Sequence, residues 1–208
     1  MGVKRLEGIV LTHDSLDHRG GYETALAALR PRWVAKPRGA PGPWRRIEAL
    51  APQLHELCDG DSLELDRDVH IEVRNPPCDG RVVQRTSDIH NDGALVLVIR
   101  HRNVTLVIPA DAEAPVLRRL GLPHVDVLRV SHHGSSDPDL PMLLEQIQPR
   151  VAAISVGAGN DYGHPRADTL HALHAAAVRT YRTDRDGSVV FDSDGARVQV
   201  QLVRRSGR

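Results

Sequence analysis

Aromatic side chains are nearly missing from this 208-residue chain, which has one Phe, two Trp and three Tyr. A core must therefore be built from Val, Leu, Ile and Ala, with few large rings to fill it. Lysine is almost as scarce, at positions 4 and 36 only, so arginine carries nearly all of the 27 basic charges; with abundant Ala this reads as coding bias. Acidic residues also number 27, and zero net charge excludes a partner chosen by overall charge, so any basic character has to be local. Cys58 and Cys78 are the only cysteines and form no C-x-x-C element, which excludes a cysteine zinc site. They read as a pair of buried thiols, with a single disulfide as the alternative. The longest apolar run, Ala94–Ile99, is far too short to cross a bilayer, and no signal peptide opens the chain, so a soluble domain is expected.

What is present is an ordinary globular composition, 40% hydrophobic, with twelve histidines as the outlier. With no linker, repeat or low-complexity tract, residues 1–208 read as one domain. Strand and helix patterns alternate, which predicts α/β architecture. Strands are expected at Gly8–Thr12, Arg32–Ala35, Leu54–Cys58, Ser62–Leu65, Val69–Arg74, Ala94–His101, Val104–Ile108, Val125–Val130 and Val151–Val156. Thr180–Thr183, Ser188–Phe191 and Arg197–Leu202 read as a terminal strand meander. Helices are expected at Gly20–Leu29, Trp44–Leu50, Glu113–Leu120, Leu140–Gln148 and Arg166–Ala177. Asn75–Asn91, rich in Pro, Gly and Asp, reads as a long surface loop of the kind that often carries function.

Four of the expected strands end in Asp or His. Gly8–Thr12 runs into His13-Asp14-Ser15-Leu16-Asp17-His18; Val104–Ile108 is followed by Asp111; Val125–Val130 by Ser131-His132-His133-Gly134-Ser135; Val151–Val156 by Asn160-Asp161-Tyr162-Gly163-His164. Loops at one edge of a sheet converge in space, where open α/β layers place their ligands. Neutral imidazole and carboxylate bind zinc-class cations. For the first cluster alone, a capped helix start with exposed histidines is an equally good reading; four such strand ends together point to a metal cleft.

Thr12-His13-x-Ser15-x-Asp17-His18-x-Gly20-Gly21 resembles the H-x-[HD]-x-D-H motif of the metallo-β-lactamase superfamily. His90-Asn91-Asp92-Gly93-Ala94-Leu95, the hairpin leading to Asp111, the His132-His133-Gly134-Ser135 run and Tyr162-Gly163-His164-Pro165 resemble, in that order, the ComEC-type branch of DNA-uptake proteins. The resemblance covers most of Leu6–Gly187. It implies an αββα sandwich and one or two divalent ions, zinc or manganese. Asp17, His18, Asp111 and one of His132 or His133 would hold one ion, and Asp111 would bridge to a second held by His13, with His90 or Asn91 near it. Asp17 would orient or deprotonate water, and His164 would lie over the cleft on the phosphate or leaving group. Ser135 and Asn160 would be further phosphate contacts. Two departures stand out. Ser15 occupies a position where the superfamily has His or Asp, and a neutral hydroxyl is a poor ligand, which weakens the second site. The strands that precede the motif in the family are missing, which implies an N-terminally incomplete first sheet with an exposed edge.

From Thr24 to Ile47 there is no acidic residue, while Arg30, Arg32, Lys36, Arg38, Arg45 and Arg46 fall there with Trp33 and Trp44. Arg38 and Arg45 are candidate contacts to a nucleic-acid backbone, and tryptophan stacks on bases; a solvated arginine-rich surface with Trp44 buried is the plainer reading. His171 and His174, one helical turn apart, read as an exposed helix face. The function expected is metal-dependent phosphodiester hydrolysis, with single-stranded DNA as substrate and a membrane-embedded parent protein implied by the resemblance. The alternatives are a non-catalytic DNA-binding or assembly module, and a hydrolase of a small phosphodiester such as a choline-phosphate ester.

Overall fold

The computed structural model describes residues 3–40 and 44–203. Three parallel strands, β1 (Gly8–Val10), β2 (Trp33–Pro37) and β3 (Leu54–Leu57), form a first sheet in the order β1-β2-β3. The second sheet has seven strands: β4 (Ser62–Asp66), β5 (Val69–Asn75), β6 (Val96–His101), β7 (Val104–Ile108), β8 (Val127–Arg129), β9 (Val151–Ile154) and β10 (Arg179–Arg182), lying in the order β10-β9-β8-β7-β6-β5-β4. Strands β4 to β7 pair antiparallel, and β7 to β10 pair parallel. A separate hairpin joins β11 (Ser188–Ser193) to β12 (Val198–Val203).

Period-two alternation decides what each strand buries. Ala35 and Leu57 of the first sheet pack on Ile71, Val73, Leu95 and Leu97, which line the second sheet's inner face. The opposite faces go to helices. Val34 packs with Tyr22 of α2 (Tyr22–Leu29) and Ile47 of α3 (Arg45–Leu50). Val96, Val98, Val107 and Leu128 pack beneath α5 (Ala114–Leu117), α6 (Leu140–Ile147) and α7 (Ala167–Ala175). The layers therefore run helix, sheet, sheet, helix. β6 is apolar on both faces because it is covered on both, which accounts for the unbroken Ala94–Ile99 run. Leu95 is fully buried, and its truncation to Ala would cost roughly 2–5 kcal/mol.

Several boundaries differ from expectation for local reasons. The expected Gly20–Leu29 helix is α2, starting at Tyr22 after Gly20-Gly21, and a further short helix that was not expected, α1 (Leu16–Arg19), precedes the two glycines. The expected terminal meander is divided too: β10 joins the main sheet beside β9, and only β11 and β12 form the hairpin, after a short helix α8 (Thr183–Asp186). The 75–91 loop is tighter than its composition implies. Its end is a short helix, α4 (Ile89–Asp92), and the buried Asp92 carboxylate accepts from the Arg85 and Thr86 N–H groups and the Thr86 hydroxyl. The pair of buried thiols is overturned: Cys58 and Cys78 form a disulfide. Cys58 at the end of β3 is buried, but Cys78 is an exposed loop residue brought onto it, a tertiary approach that spacing could not reveal. No described helix is long and apolar enough to cross a membrane.

Candidate metal centre

The C-terminal ends of β1, β7, β8 and β9 open onto one rim. Three non-glycine residues there have left-handed backbone: Ala110 (φ +53°), His132 (φ +45°) and His133 (φ +52°). Such conformations cost on the order of 1–3 kcal/mol each and persist only where the surroundings enforce them. Two hold consecutive imidazoles and the third immediately precedes Asp111.

Asp17, His18, Asp111 and His133 each offer one ligand atom, and these atoms lie within 4.8 Å of one another. His18 Nε2 is 3.2 Å from His133 Nε2, 3.1 Å from Asp111 Oδ1 and 3.7 Å from Asp17 Oδ2. His133 Nε2 is 3.3 Å from Asp17 Oδ2 and 3.9 Å from Asp111 Oδ1. Four ligands around a zinc-class cation at about 2.0–2.2 Å stand roughly 3.3–3.6 Å apart if tetrahedral. Asp111 Oδ1 is buried and, despite its closeness to His18, has no aligned hydrogen bond among the described residues. The donor set and its spacing fit a divalent cation.

Second contacts aim these rings. His133 Nδ1 lies 2.6 Å from the Ser155 carbonyl, so its N–H donates there and Nε2 keeps its lone pair for the cluster. Thr12 Oγ1 lies 3.2 Å from the Nδ1 atoms of both His13 and His18; accepting from both rings, it frees both Nε2 atoms. Arg129, which sequence reasoning passed over, is half-buried beside the cluster. Its guanidinium donates to the Ala110 carbonyl and lies 3.5 Å from Asp111 Oδ1. Burial of Asp111 opposes ionisation, but the close approach of His18, with His13 and His133 beside it, holds its carboxyl below the usual range.

The other oxygen of Asp111 faces a sparser set. His13 Nε2 is 3.7 Å from Oδ2 and His132 Nε2 is 3.9 Å from it. His13 is 1% exposed, its Nε2 has no hydrogen-bond partner among the described residues, and burial and then His18 lower its pKa to about 4. His132 Nδ1 lies 2.9 Å from Glu113 Oε1, which also accepts from Ser135 Oγ at 2.6 Å; that hydrogen bond raises the His132 pKa. Glu113 was also unforeseen from sequence, though an acid two residues after Asp111 was the available signal. Ser15 Oγ donates to Asp17 Oδ1 at 2.5 Å, on the edge of the first set.

The remaining sequence candidates fall in different places. His90 has a buried Nδ1 without a partner among the described residues, but it is outside the four-donor group. His164 stands over the rim, its ring 5.7 Å from that of His132. Ser135 is buried, with its hydroxyl engaged by Glu113. The Asn160 side chain closes its own loop through the Gly157 and His164 carbonyls and the His164 N–H. Arg38 reaches the Glu56 carbonyl, and Arg45 lies on the exposed face of α3. His171 and His174 are exposed, as expected. A cavity of about 1080 Å³ lies between α6 and α7 and is lined by Pro141, Leu144, His171 and Ala172. It contains none of the cluster residues, so converging donors mark the site better than volume does.

A two-sheet sandwich with His and Asp converging at one rim defines a metal-site scaffold, and the chain belongs to the metallo-β-lactamase superfamily, whose profile matches residues 1–158. Among individual proteins, it is 28% identical to ComE operon protein 3 of Bacillus subtilis over 91% of this chain, and 28% identical to Recombination protein 2 of Haemophilus influenzae over 96%. It is 27% identical to competence protein ComA of Neisseria gonorrhoeae over 98%. The chain spans about a quarter of the length of these relatives, 25%, 24% and 28% respectively. CmlA, a diiron β-hydroxylase from Streptomyces venezuelae, shares the fold with a TM-score of 0.59 at 13% identity, over 86% of this chain and 44% of that one.

Proposed function

We propose that this chain is a divalent-cation-dependent phosphodiester hydrolase acting on DNA, single-stranded rather than duplex. The observation that carries the reading is the four-donor set of Asp17, His18, Asp111 and His133 at mutual spacings suited to one cation. Zinc and manganese both suit such a mixture of imidazole and carboxylate. The competence and recombination names of its relatives support a DNA substrate.

When bound, the cation supplies Lewis acidity and an acidified water at neutral pH. Asp17 is the most exposed member of the set, with a side chain 55% exposed, and it orients the attacking water or takes its proton. His18 and His133 hold their lone pairs inward through Thr12 and Ser155. The His164 pKa is lowered, mainly by burial and then by His132 and Arg166, and the ring stands at the mouth where a phosphate oxygen or leaving group lies. Arg129 offsets negative charge behind Asp111.

The test is hydrolysis of a labelled single-stranded oligonucleotide by protein loaded with zinc or manganese. Cleavage is expected, and Asp17→Ala is expected to slow it by about 100-fold or more. Intact DNA with wild-type protein, or equal cleavage by Asp17→Ala, would overturn the reading.

A further inference from the structure

The chain has six Phe, Trp and Tyr side chains, and five of them are buried or half-buried. The exception is Tyr162, which at 76% is the most exposed large apolar side chain among the described residues. It stands beside the metal rim. Its ring lies nearly parallel to that of His164, with centroids 6.0 Å apart and planes 12° apart, and the His164 ring is in turn 5.7 Å from that of His132.

The loop that presents Tyr162 is braced at several points. Asn160 Nδ2 donates to the Gly157 and His164 carbonyls at 3.0 and 2.7 Å, and Asn160 Oδ1 accepts from the His164 N–H at 3.0 Å. Gly163 takes a left-handed φ of +67° to make the bend. The loop is also locked to the histidine turn. The Arg166 N–H donates to the Gly134 carbonyl at 2.8 Å, and a side chain at Gly134 would strike Pro165 Cβ at 2.7 Å. The Arg166 guanidinium passes 3.5 Å from where a Gly163 Cβ would stand, so a cation lies against the same bend. Folding gains little from an exposed ring held this way. An aromatic plane with an adjacent arginine at the mouth of a phosphodiester site is the equipment for gripping a base and its phosphate.

We propose that Tyr162 is a stacking platform for an unpaired nucleobase flanking the scissile phosphate, so that the site takes single-stranded polynucleotide and not a small base-free phosphodiester. This rests on reading the rim as a phosphodiester hydrolase. It adds the feature that distinguishes a polynucleotide, because a choline-type ester has no base to stack. The two tryptophans in the arginine-rich segment do not compete for the role. Trp44 is 4% exposed, and Trp33 packs across Gly8 and edge-on to His55.

The test measures binding by fluorescence anisotropy in metal-free protein, where no cleavage intervenes, using oligothymidylate and an equally long oligonucleotide of abasic residues. Tyr162→Ala is expected to weaken oligothymidylate binding by about tenfold, from the roughly 1–3 kcal/mol that one stacked base supplies, and to leave abasic binding unchanged. Tyr162→Trp is expected to restore binding. Equal oligothymidylate affinity for wild type and Tyr162→Ala, abasic binding as tight as oligothymidylate binding, or no binding of either would overturn the proposal. Cleavage assays separate this from the activity itself. Cleavage indifferent to Tyr162 would sink the platform and leave the hydrolase standing. Tyr162-dependent binding without cleavage by the metal-loaded protein would sink the hydrolase and uphold the platform.

Discussion

The two oxygens of Asp111 face differently built surroundings. Around Oδ1 stand His18, His133 and Asp17, with both imidazoles aimed by a second hydrogen bond. Around Oδ2, among the described residues, stand His13 and His132, at 3.7 and 3.9 Å, and Ser15, which the superfamily motif would place among the ligands, is bonded to Asp17 instead. One carboxylate thus joins a complete donor set to a partial one. The lesson is that ligand number and the contacts orienting each ligand decide whether a shared carboxylate supports one cation or two.

The largest effect expected is from Asp111→Asn, which removes the charge common to both sides. It should lower metal affinity by more than the roughly 10–100-fold typical of losing an outer contact, and abolish hydrolysis. Isothermal titration with zinc or manganese checks this, and retained affinity would remove Asp111 from the centre. Next come the paired histidines. His133→Ala should empty the complete set, whereas His132→Ala should leave it filled; titration of both variants decides between them, and the reverse order would exchange their roles. Ser15→Asp supplies the carboxylate that the Oδ2 side lacks and should raise bound metal from about one to about two ions per chain. An unchanged count would show that more than Ser15 is missing there.

A smaller effect concerns acid stability without metal. His13 is neutral in the fold, with its pKa lowered from 6.5 to about 4, so the unfolded chain takes up a proton that the folded chain refuses. That contribution is fully present above about pH 6.5 and fades as pH falls towards 4. In denaturant melts of metal-free protein, His13→Gln should flatten the acid-side loss by on the order of 2–3 kcal/mol across that window. His132, raised by Glu113, acts in the opposite sense, so the comparison is with wild type at each pH. An identical slope in both proteins would show that His13 is not held neutral.

Much of this centre was legible in the sequence because strand ends must meet at a sheet edge. His13, Asp17, His18, Asp111, His132 and His133 all reach the rim. What was hidden depends on three-dimensional approach. The choice of His133 over His132 for the Oδ1 set follows from left-handed turns and from Ser155 and Glu113, none of which has a sequence signature. The disulfide arises because β3 ends beneath the 75–91 loop. In the arginine-rich segment folding follows the plainer of the two readings, with Trp44 buried. Arg32 pairs with Glu7, Arg46 with Glu23, and buried Lys36 with Glu48 and Glu56 beside Trp44. A run without acids in sequence is thus interleaved with acids from neighbouring segments, which offset several of its charges.

The most direct test is metal content by mass spectrometry of protein purified without chelator and dialysed against zinc or manganese, compared between wild type and His18→Ala. The geometry predicts about one tightly held ion per wild-type chain and almost none in the variant, both remaining folded by circular dichroism. Wild-type protein without bound metal, or a His18→Ala chain that holds as much, would contradict the claim that these four side chains form a metal centre.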